Sequence, residues 1–187
     1  APVEGRDDRT QHRRYDEHVT AMISPGPGGR WQTWVSVDGE QRQGPYAPNP
    51  TAARTVADGL ARGALLELAS VTPSRANEIV RDLATGDSTW NRAELVAVIG
   101  HRLTDTDRHD LATTNDPQRL TELMSDSGVL APTTMLHVLA AEHADIAAVY
   151  PIAVSIGAPV ADAIRLIHDR WDVDRLTVGQ ALGAEVH

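Results

Sequence analysis

Hydrophobic and polar positions change their period once along the 187-residue chain, close to residue 49. Before it the period is two. In His18–Ser24 (HVTAMIS), Val19, Ala21 and Ile23 share one face. Pro-Gly-Pro-Gly-Gly at 25–29 breaks the pattern, because proline fixes φ and withdraws a donor while glycine loosens the backbone. Alternation resumes in Arg30–Val37, with Trp31, Thr33, Val35 and Val37 on one side and Gln32, Trp34 and Ser36 on the other. Asp38-Gly39 tolerates the positive φ of a type I′ hairpin turn, so Glu40–Tyr46 is expected to return as a third strand. From Asn49-Pro50, an N-cap residue followed by proline at the first helical position, the period becomes helical. Ala53, Val56, Ala57, Leu60, Ala64, Leu65 and Leu68 form an apolar stripe, and Arg54, Asp58 and Arg62 lie opposite. Residues 18–70 therefore predict a β-β-β-α unit, a helix laid on a small sheet that could not stand uncovered.

Beyond residue 70 every periodic segment is helical. Expected helices run over 73–84 with a stop at Gly86, over 91–103, and from Pro117 to Gly128. Others run from Pro132 through Leu136, Val138, Leu139 and Ile146, from Pro159 through Ile164, Leu166 and Ile167, and over 177–182. Pro132 and Pro159 open similar segments 27 residues apart, an outline of irregular helical repeats that the preference for proline at helix starts also explains. Residues 1–17 combine dense mixed charge with no apolar period and read as a flexible tail, or as an Arg-rich arm that orders on a partner. The ending GAEVH carries no stop signal, as expected of a piece of a longer helical chain. The fold class is α+β, mostly α: a three-stranded antiparallel sheet with a covering helix (18–70), then an all-helical region (71–187).

Composition narrows the chemistry. With no cysteine there are no disulfides, thiol nucleophiles or Cys-ligated metals. No apolar run of 18 residues and no basic-then-apolar start is present, so the expectation is a cytoplasmic protein with no membrane contact. The net charge of −9 is unevenly spread: residues 21–70 balance, whereas 71–187 carry nine Arg against 17 acids. That helical part repels phosphate, so any DNA contact belongs to residues 1–70, and the acidic helices suit a protein partner instead. All 17 cations are arginine, so an anion contact would use the planar guanidinium fork.

Catalytic and ligand motifs are missing. There is no G-x-S-x-G elbow, P-loop or G-x-G-x-x-G before a helix, and the prolines of the 25–29 turn remove the donors a phosphate cradle needs. His101, Asp105 and His109 would align on one helical face, and His137, Glu142 and His143 form a second set. Neither has the HExxH spacing of a zinc helix, so both read as solvated polar faces. No metal, cofactor or catalytic residue is expected. Residues 149–167 outline a helix-turn-helix, but its second helix would offer Pro159, Val160, Ala161 and Asp162 to a groove, which suits an ordinary helical hairpin better.

Gly29, Trp31, Gly39, Tyr46 and the Ala52-Ala53 pair carry one resemblance. Residues 28–65 resemble the arm-type β-β-β-α DNA-binding module at the front of tyrosine recombinases. The match covers about 40 of 187 residues, and double-stranded-RNA-binding modules share the element order. The resemblance implies DNA contact by the sheet face through Arg30, Gln32, Trp34 and Arg42, with Gln41 or Gln43 in support. The segment departs from that family in having no basic cluster at its helix start. The expected function is accordingly a non-enzymatic, DNA-associated accessory or assembly protein of a mobile genetic element. The alternatives are a protein-interaction module using the acidic helical surface and an acidic decoy for another protein's DNA site.

Overall fold

A computed structural model describes residues 9–183. Its sheet is antiparallel, in the order β1 (Gln11–Arg14), β2 (Val19–Pro25), β3 (Trp31–Val37) and β4 (Glu40–Gln43). It therefore has four strands, where the sequence pattern predicts three. The extra one, β1, lies inside the stretch expected to be a flexible tail. QHRR shows no apolar alternation because an edge strand needs none: all four side chains are exposed and its order comes from pairing with β2. Tyr15 then anchors it, 1% exposed in the core, with its hydroxyl donating to the Asp58 carboxylate. Arg6, the first arginine of the expected arm, lies outside the described residues.

The hairpin turn forms as its residues dictate, with φ of 50° at Asp38 and 83° at Gly39. β4 is shorter than expected. At Gly44 the chain dips under the sheet, where a Cβ would meet Leu60 Cδ1 at 2.4 Å and Thr33 Oγ1 at 2.6 Å, so only glycine fits. The buried Thr33 hydroxyl donates to the Pro45 carbonyl at 2.7 Å and holds that bend. Helix α1 (Pro50–Leu68), capped by the Asn49 side chain, then covers one sheet face. Val19, Ala21, Ile23, Val35 and Val37 pack there against Ala53, Ala57, Ala61 and Ala64, and alanines let the helix approach closely. Val35 is 3% exposed, whereas Leu60, expected at full burial, is partly covered. Val35→Ala is expected to cost about 1–3 kcal/mol in urea unfolding through lost burial and the cavity left behind. A loss below about 0.5 kcal/mol would contradict this packing.

The remaining described residues are helical: α2 (Pro73–Thr85), α3 (Arg92–Ile99), α4 (Asp105–Thr113), α5 (Pro117–Ser127), α6 (Pro132–Ala141), α7 (Ile146–Ser155), α8 (Val160–Trp171) and α9 (Arg175–Ala181). Among the described residues no helix is long and apolar enough to cross a membrane. Two boundaries differ from the expected ones. The helix expected over 91–103 stops at Ile99 and tightens into a 3-10 turn over Gly100–Arg102; Thr104 then caps α4, whose first turn carries Asp105 and Asp107. The helix expected from Pro132 through Ile146 splits, because His143 takes a φ of 55° and Asp145 caps a new helix. These helices share a second core, centred on Leu95, Val98, Leu123, Leu136, Leu139 and Ile167. On α1, Leu65 belongs to the sheet core and its neighbour Leu66 to the helical one, so the same helix serves both.

Candidate nucleic-acid interface

With one face under α1, the other face of the sheet is left open by the described residues. Residues directly opposite in an antiparallel pair share a face, so the register lays out its surface in rows. One row reads Arg14, Thr20, Ser36, Gln41 across the four strands. The middle row reads His12, Met22, Trp34, Gln43. A third row has Ser24 and Gln32, with Arg30 just beyond it at the mouth of the 25–29 turn. No carboxylate stands in these rows, although the chain carries 26 acids.

Trp34 and Trp31 have opposite fates. Trp31 packs on the sheet core, whereas Trp34 is partly exposed and takes no part in it. Its neighbours in the adjoining rows are Ser36 and Gln32, and Met22 and Gln43 border it across the strands. This is a flat aromatic set among amide and hydroxyl groups, suited to stacking and to hydrogen bonds with base edges or sugars.

Three of the four expected contact residues are near this face: Gln32 and Trp34 in its rows, and Arg30, exposed at its end. Arg30 forms no ion pair with a described residue, which leaves its guanidinium available to an anion. Arg42 is not part of it. Its strand partner is Val35, so its side chain points to the α1 side, where it donates to Glu67 at 2.9 Å. That pairing holds its guanidinium above the ordinary arginine range through the Glu67 hydrogen bond. Gln41 and Gln43, named only in support, are the β4 residues that do face outward. His12, which the sequence does not single out, and Arg14, one of the arm arginines (Arg6, Arg9, Arg13 and Arg14) expected to supply affinity, take their places in the rows because β1 exists. Arg14 approaches Asp105 at 3.6 Å across the edge of the sheet.

Other candidate groups fall elsewhere. His101, Asp105 and His109 do not share a helix, since the chain is extended at Leu103 and Thr104 between them. His101 is buried rather than solvated, His109 is exposed, and Asp105 accepts from Arg108 at 2.5 Å. Glu142 accepts from Arg92 at 2.8 Å, and burial, with Arg170 nearby, pushes the His137 pKa down. Among the described residues no three His, Asp or Glu are placed to hold a metal ion. α7 and α8 are joined by a turn at Gly157, φ 70°, but α7 packs on α5 and α6 and α8 on α6 and α9, and Asp162 is engaged by Arg165 at 3.1 Å. A groove of about 660 Å³ lies between α5 and α7, with Asp116, Glu122 and Asp126 on its wall and Ile152 and Ile156 deeper in the same lining. Comparison with protein-family models, with curated proteins and with solved structures finds no match to this chain.

Proposed function

We propose that the chain is a non-enzymatic, nucleic-acid-associated accessory protein that contacts its ligand through the open face of the sheet. One observation carries the proposal: in a chain of net charge −9, the described rows of this face hold no carboxylate and present Trp34, three short hydroxyl side chains and three glutamines. Hydroxyl and amide groups position on phosphate and sugar or read base edges, and arginines at the border supply the ionic contacts. The resemblance to the arm-type module of tyrosine recombinases points the same way and suggests a mobile element as the setting. The acidic helices then face away from the ligand or hold a protein partner, for which the α5–α7 groove offers acidic walls.

Salt dependence tests it. Arg14 and Arg30 are the two arginines at the border of the face, so binding of the full chain should be weak and should fall with a log–log slope of about −1.4 to −1.8. Replacing both with alanine should bring that slope close to zero. Replacing Arg42, tied to Glu67 under the sheet, or Arg165, tied to Asp162, should leave it unchanged. If neither single strand nor duplex binds at low salt, the nucleic-acid proposal falls and the acidic helical surface takes its place.

A further inference from the structure

Resting on that proposal, we infer that the open face takes a single strand rather than a duplex, with one base stacked on Trp34. The two edges of the sheet are chemically unlike. Along β1 the outward residues are His12 and Arg14, and the ion pair of Arg14 with Asp105 is long, 3.6 Å, and exposed. Along β4 they are Gln41 and Gln43, with no cation among them. The one basic side chain of β4, Arg42, is turned beneath and neutralised by Glu67, and Glu40 joins it on that lower side because its partner is Val37.

A duplex needs both edges. Four strands about 4.8 Å apart span roughly 14 Å, as wide as the major groove of about 12 Å, so a sheet laid into the groove brings a phosphate rail to each flank. Here one flank would meet amides backed by Glu40 and the neutral Arg42–Glu67 pair, which offer phosphate no free cation. A single strand has one rail. It can follow the basic β1 border, or pass Arg30 at the end of the face, while its bases lie across the middle row onto the partly exposed Trp34 ring. Stacking tolerates any base because each has a π face, and it needs no second line of cations. Gln32 and Gln43, the neighbours of Trp34 along and across the strands, can hydrogen-bond base edges that a duplex would keep paired.

The experiment measures fluorescence anisotropy of the full chain with a labelled mixed-sequence single strand and with the same sequence as a duplex, at low salt. The single strand should bind at least about tenfold more tightly and should quench tryptophan emission. Trp34→Ala should weaken single-strand binding by about ten- to a hundredfold, as loss of one stacking base does. Trp34→Phe keeps a ring and should keep most of the affinity but lose the quench; circular dichroism of both variants shows whether the fold persists. Equal or tighter duplex binding overturns the single-strand inference and leaves the nucleic-acid proposal standing. Unchanged single-strand affinity in a folded Trp34→Ala variant overturns the stacking role. Binding to neither ligand removes both.

Discussion

Replacing Arg108 with methionine is expected to cost about 2–5 kcal/mol in urea unfolding, although Arg108 touches neither the open face nor a cavity wall of the α5–α7 groove. Its guanidinium donates to the Gly100 carbonyl at 3.1 Å, to the Leu103 carbonyl at 2.7 Å and to Asp105 at 2.5 Å. Both carbonyls flank the 3-10 turn that follows α3: the Gly100 carbonyl also accepts from the Leu103 N–H at 3.1 Å, whereas the Leu103 carbonyl depends on Arg108. The side chain is only 9% exposed, so methionine keeps the stem, strands the Leu103 acceptor away from water and removes one of the two bonds to Gly100. Arg108→Lys should fall between, since an ammonium on a shorter reach cannot serve all three acceptors. A loss under about 1 kcal/mol for the methionine variant would mean that solvent already reaches those carbonyls.

That turn also shows why part of the fold was legible in the sequence and part was not. Helix starts announce themselves locally: Asn49, Thr72, Asn91 and Asp116 each accept a bond from the first turn, and Gly86 and Gly128 supply the left-handed stops. Thr104 carries the same start signal, with acids following it at the positive end of a helix dipole, but the apolar run before it invites reading the acids as a stop. At His143 a non-glycine residue takes the left-handed conformation, and no residue type marked the break. β1 was invisible for another reason. Its order resides in pairing with β2 and in the Tyr15–Asp58 contact, 43 positions apart, which no period of apolar residues encodes.

The candidate face was legible wherever alternation alone decides it. Gln32 and Trp34 follow from the period of two in β3. Arg42 was misplaced although its side could be read: with Asp38-Gly39 as the turn, 37 pairs with 40 and 35 with 42, so Arg42 must share the face of Val35. Composition drew it to the ligand side, and register put it on the other. The lack of carboxylates on the open face could be seen only once β1 and β4 had been placed in register with their neighbours.

Acidification should loosen the joint between sheet and helices, and His101 is the group that makes it do so. The imidazole is 8% exposed and its Nδ1 has no protein hydrogen-bond partner. Burial holds its pKa below 6.5; Arg62 on α1, Arg102 in its own turn and Arg13 on β1 push the same way, and Asp58 opposes them. The folded protein thus keeps His101 neutral where the unfolded chain takes up a proton, so stability is flat above about pH 7.5 and falls as pH drops through 6.5. The slope for this one proton reaches at most about 1.4 kcal/mol per pH unit and ends once the folded state protonates too. His137 has the same sign, and His18, raised by its hydrogen bond to Asp38, has the opposite one. His101→Gln should therefore remove part of the acid slope between pH 7 and 5 while leaving the shape of the curve above pH 7.5 unchanged. Urea midpoints of both proteins across that range decide it. An identical slope in the variant would assign the acid sensitivity to His137 or to the carboxylates instead. Arg13 contacts both the Arg102 carbonyl, at 3.3 Å, and Asp58, at 3.7 Å. A proton on His101 adds a like charge beside it, so the first local change should be β1 leaving the sheet, with His12 and Arg14 leaving the open face.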